Sequence, residues 1–242
     1  MLKLQHIAWG LPDGSEIIKD VDLEIPDNRM VVVTGPNGGG KTTLAKLIAG
    51  LETPRTGRII FDGEDITQVD VTGRAKMGVA YAFQQPVRFK GITVQDMLEL
   101  AAGGKLTEDQ LCSLLGKVGL CASEYIGREL NAGLSGGEIK RIEIATVLAR
   151  NAKLMIFDEP EAGIDLWSFA RLAETFQEIR RKESGTLLII SHQERLLSIA
   201  DEILVIAGGM VRDFGPRERV LPALLADEKA VRCPLGKEMA AV

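Results

Sequence analysis

The apolar positions of this chain follow two rhythms. Near the N-terminus they alternate, with Val21, Leu23 and Ile25 separated by Asp22 and Glu24, the period-two pattern of a strand with one wet face. That spacing predicts an antiparallel strand at the edge of a core, and Pro12-Asp13-Gly14 before it reads as a turn. Further on come short unbroken runs: Met30–Val33, Arg58–Phe61, Leu154–Phe157, Thr186–Ile190 and Ile203–Ile206. Helical spacing fills two of the intervals. One stretch runs from about Gly136 to Arg150 with Ile139, Ile142, Ala145 and Ala149 on one face, the other from about Leu166 to Lys182 with Phe169, Ala173 and Phe176 together. Parallel strands joined by crossover helices fit this order.

From about Pro86 to Leu134 the pattern changes. Strand-like runs stop and helical segments such as Thr93–Ala102 and Thr107–Val118 take over, which predicts a small helical subdomain inserted into an α/β body. The stretch after Gly215 is helix-compatible. The expected division is therefore 1–85 for the first part of the α/β core, 86–150 for the helical part, 151–215 for the second part of the core and 216–242 for a helical tail.

Composition narrows the partners. The 242 residues carry 34 acidic against 29 basic side chains, a net charge of -5, which turns the reading away from nucleic acid. No apolar run approaches the roughly 20 residues that span a bilayer, and Met1–Leu4 lacks a secretory apolar region. The expectation is a cytoplasmic chain without direct membrane insertion, so that any membrane role needs a separate spanning subunit. Cys112, Cys121 and Cys233 are odd in number and widely spaced, predicting reduced structural thiols rather than a disulfide framework or a zinc site.

Chemistry enters at Gly35-Pro36-Asn37-Gly38-Gly39-Gly40-Lys41-Thr42, which fits G-x-x-x-x-G-K-[ST] between an apolar strand and a helix. Glycines let successive N–H groups converge on phosphate oxygens, and the helix N-terminus adds partial positive charge. Lys41 can reach the β- and γ-phosphates, and the Thr42 hydroxyl can ligate Mg2+. Gly35, Asn37, Gly38, Gly39, Gly40, Lys41, Thr42 and Thr43 are accordingly the expected ATP-binding residues. The strand Leu154–Phe157 ends in Asp158 and Glu159. Asp158 is placed to hold Mg2+, and Glu159, pointing differently because side chains alternate along a strand, to act as general base on water.

A second anion-binding helix start follows at Leu134-Ser135-Gly136-Gly137-Glu138, where Ser135 can cap the helix and Gly136 and Gly137 expose their N–H groups. One nucleotide cannot easily use two such ends about a hundred residues apart in one chain. A head-to-tail homodimer resolves this, each LSGGE facing the other chain's phosphate loop.

Phosphate loop, Gln84, LSGGE, acidic strand, Ala162-Gly163-Ile164-Asp165 and His192 stand in the order of the ATP-binding-cassette (ABC) ATPases, and the chain resembles that family over about residues 1 to 215. The resemblance implies a P-loop NTPase fold of ABC type with an N-terminal antiparallel β subdomain and an inserted helical subdomain. It implies that Gln84 senses Mg2+ and the γ-phosphate, that Asp165 crosses the dimer, that His192 contacts the γ-phosphate and orients water, and that Trp9 stacks on adenine.

Within the family, three segments resemble the SufC branch, the ATPases of iron–sulfur cluster assembly: Ala82-Phe83-Gln84-Gln85-Pro86-Val87, Ser135–Ile144 and His192-Gln193-Glu194-Arg195. That branch implies a soluble SufB/SufD-like scaffold as partner. Asp158-Glu159-Pro160, by contrast, is the transporter-like form, and it keeps open the alternative of an ATP-binding subunit coupled to a transmembrane permease. A DNA-repair ATPase would need long coiled coils between loop and LSGGE, which are missing here. A non-hydrolysing regulatory module would not need Glu159 and His192.

Overall fold

The computed structural model describes residues 1–131, 133–182 and 185–230. The chain opens with the hairpin β1 (Leu2–Gly10) and β2 (Glu16–Ile25), whose turn is closed by the Leu11 N–H donating to Ser15 O at 2.9 Å. Leu2, Leu4, Ile7, Ile18, Val21, Leu23 and Ile25 are buried, and the polar residues between Val21, Leu23 and Ile25 are exposed, as the alternation predicts. Later strands β4 (Thr56–Phe61) and β5 (Glu64–Asp65) complete an antiparallel sheet of order β2-β1-β4-β5, with β2 at its edge. Arg58–Phe61 is therefore not one of the parallel strands that its apolar run suggested. It pairs with β1 because the alternating Ile59 and Phe61 are buried on one face only.

The second sheet begins with β3 (Met30–Thr34), followed through the glycine loop by α1 (Lys41–Ala49). Then come α2 (Val71–Met77), β6 (Val79–Ala82), α3 (Val94–Ala102), α4 (Glu108–Lys117), α5 (Ala122–Tyr125) and α6 (Gly136–Ala149). The chain continues as β7 (Leu154–Asp158), α7 (Leu166–Arg181), β8 (Thr186–Ile190), α8 (Glu194–Ile199), β9 (Glu202–Ala207), β10 (Met210–Pro216) and α9 (Arg217–Ala230). The strand order is β10-β9-β3-β8-β7-β6, parallel except for β10.

Period two then divides the interior. Val31, Val33, Ile156, Leu188, Ile190 and Leu204 face the antiparallel sheet and α1, forming one core. Met30, Val32, Met155, Phe157, Leu187 and Ile189 face the other way and pack with residues of α3, α4, α6 and α7. A strand buried on both faces has no wet positions, so its sequence is a continuous apolar run. The helices of the middle section start on the caps their sequence offers, with Thr93 and Thr107 each closing a reciprocal capping box. Cys112 and Cys121 are free, exposed thiols, while Cys233 and the other residues beyond 230 lie outside the described part.

Candidate active site

The carboxyl end of a parallel sheet is where its strands deliver loops to a ligand, and here β3 delivers the glycine loop. Gly35 has φ 129°, and a Cβ there would sit 2.1 Å from Ile206 O, so only glycine permits the loop to turn against β9. Gly40, at φ 105°, caps α1 without any side-chain hydrogen bond. The first N–H groups of α1 are thereby left without a side-chain partner at the cap and suit an anion. Lys41 folds back across the loop, donating to Gly35 O at 2.7 Å and Pro36 O at 3.0 Å. Burial lowers its pKa, opposed by the nearby charges of Glu159 and Asp158.

The next residue, Thr42, donates from Oγ1 to Asp158 Oδ1 at 3.2 Å, and the Tyr81 hydroxyl donates to Asp158 Oδ2 at 2.9 Å. Asp158 is buried at the tip of β7, and that burial raises its pKa, with the Tyr81 and Thr42 hydrogen bonds pulling the other way. Glu159 leaves the strand in a left-handed conformation, φ 47°, which a non-glycine residue adopts only under constraint. Its N–H donates to Ile190 O at 3.0 Å, and its Oε2 accepts from Gln84 Nε2 at 2.7 Å. His192 follows β8, with Nδ1 3.4 Å from Thr34 Oγ1. Desolvation, and then the Lys41 cation, lowers the pKa of its imidazole.

These elements enclose a cleft of about 600 Å³ lined by Trp9, Leu11, Ile17, Asn37, Gly38, Gly39, Gly40, Lys41, Thr42, Thr43, Gln84 and Glu159. An apolar ring, a loop of backbone donors, an ammonium and a carboxylate thus share one opening, with Asp158 one hydrogen bond behind. The buried Asp158 carboxylate and the half-buried Thr42 hydroxyl, 3.2 Å apart, are hard oxygen ligands, a set that suits Mg2+ beside phosphate oxygens.

The sequence-predicted residues fall into two groups. The cleft gathers Asn37 and Gly38 to Thr43 of the loop together with Trp9, Gln84 and Glu159. Gly35, Asp158, His192, Ser135, Gly136, Gly137 and Asp165 are not among the residues that line it. Ser135 instead caps α6, its Oγ accepting from the Glu138 N–H at 3.3 Å while Glu138 Oε2 accepts from the Ser135 N–H at 2.7 Å. Hydrogen bonds from the Tyr125 hydroxyl and from Ser135 hold the Glu138 carboxyl down to about 2. A Cβ on Gly137 would come within 2.6 Å of Gly163 O, so this glycine lets the LSGGE segment close on the loop before Asp165. Asp165 caps α7 through Ser168 N at 2.9 Å and Ser168 Oγ at 2.6 Å.

Sequence reasoning assigned no role to Tyr81, Lys140, Glu143 or the pair Glu161–Ser191, the last joined at 2.5 Å. Each is a polar residue whose role depends on what the fold brings to it from distant segments.

The model of the ABC transporter family matches residues 18–162, more than half of the chain. This chain belongs to the ABC transporter family of ATPases. As an ABC ATPase it binds ATP and hydrolyses it. It is 39% identical over 229 residues to an uncharacterized ABC transporter ATP-binding protein of Methanocaldococcus jannaschii, covering 90% of each chain. It is 31% identical to the lipopolysaccharide export system ATP-binding protein LptB of Haemophilus influenzae, covering 92% of each. A dimeric, post-hydrolysis ATP-binding cassette bound to ADP and Pi shares the fold at a TM-score of 0.80, covering 90% of this chain and 99% of that one at 21% identity. The SufC-like reading gains nothing from these relatives, which carry the names of transporter proteins.

Proposed function

We propose that this ABC ATPase is the ATP-binding subunit of a membrane transporter, working as a head-to-tail dimer with Mg-ATP at each of two shared sites. The observation that carries the ATP chemistry is the single cleft uniting Trp9, the loop Asn37–Thr43, Gln84 and Glu159. Trp9 stacks on the base. Loop N–H groups, the N-terminus of α1 and Lys41 hold the phosphates. Thr42, Asp158 and Gln84 would hold Mg2+, which when bound would offset phosphate charge.

Glu159 takes the proton of the attacking water as general base, and His192 orients that water toward the γ-phosphate. The constrained backbone of Glu159 fixes where its carboxylate points, and Gln84 holds that carboxylate through its amide N–H. Ser135, Gly136 and Gly137 of the second copy complete each site, which accounts for their lying outside the cleft of their own chain. Asp165, two residues past the Gly163 that approaches Gly137, reaches across the same interface.

The transporter reading is supported by the relatives' names and by a groove beside Gln84. That groove, of about 180 Å³, is lined by Tyr81, Phe83, Val87, Phe89, Met97, Leu130, Ile139 and Ile142, with Glu143 and Thr146 as its polar members. Exposed Phe83, Val87 and Phe89 form an apolar seat for a helix of the permease. The helical part, 86–150, moves with the partner as the dimer opens and closes. Affinity purification of the tagged chain with and without detergent tests the reading. A multi-span protein recovered only after detergent extraction supports it. A soluble partner recovered in stoichiometric amount without detergent overturns it in favour of a scaffold ATPase.

A further inference from the structure

Helix α6 does more than present Ser135 to a neighbour. Just over one turn inside it, the Lys140 side chain is 1% exposed and among the described residues its ammonium meets no carboxylate at hydrogen-bond distance, the Glu143 Oε2 lying 3.9 Å away. Its donors go to three backbone carbonyls: Phe83 O, Gln84 O at 3.3 Å and Asp158 O at 3.1 Å. An ammonium has three N–H groups, so all of them are committed. The first two carbonyls belong to the segment leaving β6, and the third closes β7. One turn further along α6, Glu143 Oε1 accepts the Phe83 N–H at 2.8 Å. The Phe83 peptide is thus gripped by its N–H and its C=O from one helix.

Residues 85–90, which follow, are mostly exposed, and no comparable tie appears among the described residues beyond Arg88 to Asn131 O and Phe89 N to Leu130 O. A buried lysine without an ion pair at bonding distance is costly for stability alone. Its placement sets the backbones that precede both partners of the 2.7 Å Gln84–Glu159 hydrogen bond.

We propose that Lys140 and Glu143 are positioning residues, which hold Gln84 and Glu159 in mutual register and tie that register to the helix carrying Ser135. Any displacement of Ser135–Gly137 moves α6, and α6 carries the Gln84 backbone with it. The proposal rests on the reading of Gln84 and Glu159 as hydrolytic groups.

The test is single-turnover hydrolysis by the full chain in excess over Mg-ATP, together with equilibrium ATP affinity and Tm. Lys140→Met, matched in volume, lowers the single-turnover rate about tenfold or more with ATP affinity within about twofold of the parent. Glu143→Ala lowers the rate several-fold, and Glu143→Gln, whose amide oxygen still accepts the Phe83 N–H, restores it. Parental rates in Lys140→Met and Glu143→Ala overturn the proposal. So do rate losses matched by equal losses of ATP affinity and Tm, which mark a merely structural role. If Lys140→Met does not fold, the contrast between Glu143→Ala and Glu143→Gln decides. Glu159→Gln serves as control: an unimpaired rate there sinks the catalytic reading itself, whereas an inactive Glu159→Gln beside a parental Lys140→Met sinks only the positioning role.

Discussion

At the scale of the residue, Glu159 carries the sharpest claim. Its backbone is held at φ 47° and its carboxylate is hydrogen-bonded by Gln84, so a change of chemistry alone is available through Glu159→Gln. That variant is expected to lose turnover by on the order of 100-fold or more, the scale of general-base catalysis, while ATP affinity stays near the parent's. Steady-state phosphate release beside equilibrium nucleotide binding checks this. His192 gives a pH prediction. Desolvation and the Lys41 cation both disfavour the imidazolium, so its pKa lies below the ordinary value and the ring is neutral at pH 7. A water-orienting role through the neutral ring then predicts a rate that is flat from neutral to mildly alkaline pH and falls as acid protonates the ring. His192→Ala removes that acid limb from the pH–rate profile, and an unchanged limb contradicts the assignment.

At the scale of the element, legibility followed burial. β3, β7, β8 and β9 lie inside the sheet with both faces covered, and each was readable as an unbroken apolar run. β6 is only four residues, Val79–Ala82, and β10 mixes Arg212 and Asp213 into a sheet edge, so neither shows a pattern that stands out from loops. Arg58–Phe61 was legible as a strand and not as to its sheet, because four residues do not separate one-sided from two-sided burial. The glycine loop, the acidic strand end and the capped start of α6 were legible because a backbone turn, a crevice-edge carboxylate and an N-cap each demand particular residue types. Lys140 and Tyr81 were not, since their roles depend on backbone atoms and carboxylates from distant segments. The cap at α6 yields its own prediction. Ser135→Ala removes the Oγ acceptor of the Glu138 N–H, costing about 1 kcal/mol, and Tm falls by about 2–4 °C in a chain of this size. Because Ser135 does not line its own chain's cleft, ATP affinity of the single chain is expected to be unchanged while turnover drops. Thermal melts, titrations and phosphate release on the same preparation separate these effects.

At the scale of the whole molecule, two cores share one sheet, and the proposed ATP cleft sits where the antiparallel sheet, the glycine loop and the end of β7 meet. The LSGGE end of α6 does not line the cleft of its own chain, so the proposed shared site requires a second copy. A mixing experiment tests that requirement most directly. Lys41→Ala abolishes a chain's own phosphate site, and Ser135→Arg abolishes only what it offers to a neighbour. Each variant alone is expected to be inactive. Mixed, they form heterodimers in which one site pairs an intact loop with an intact LSGGE segment, and Mg-ATP hydrolysis returns. A mixture as inactive as its components, with both variants folded, contradicts the shared site.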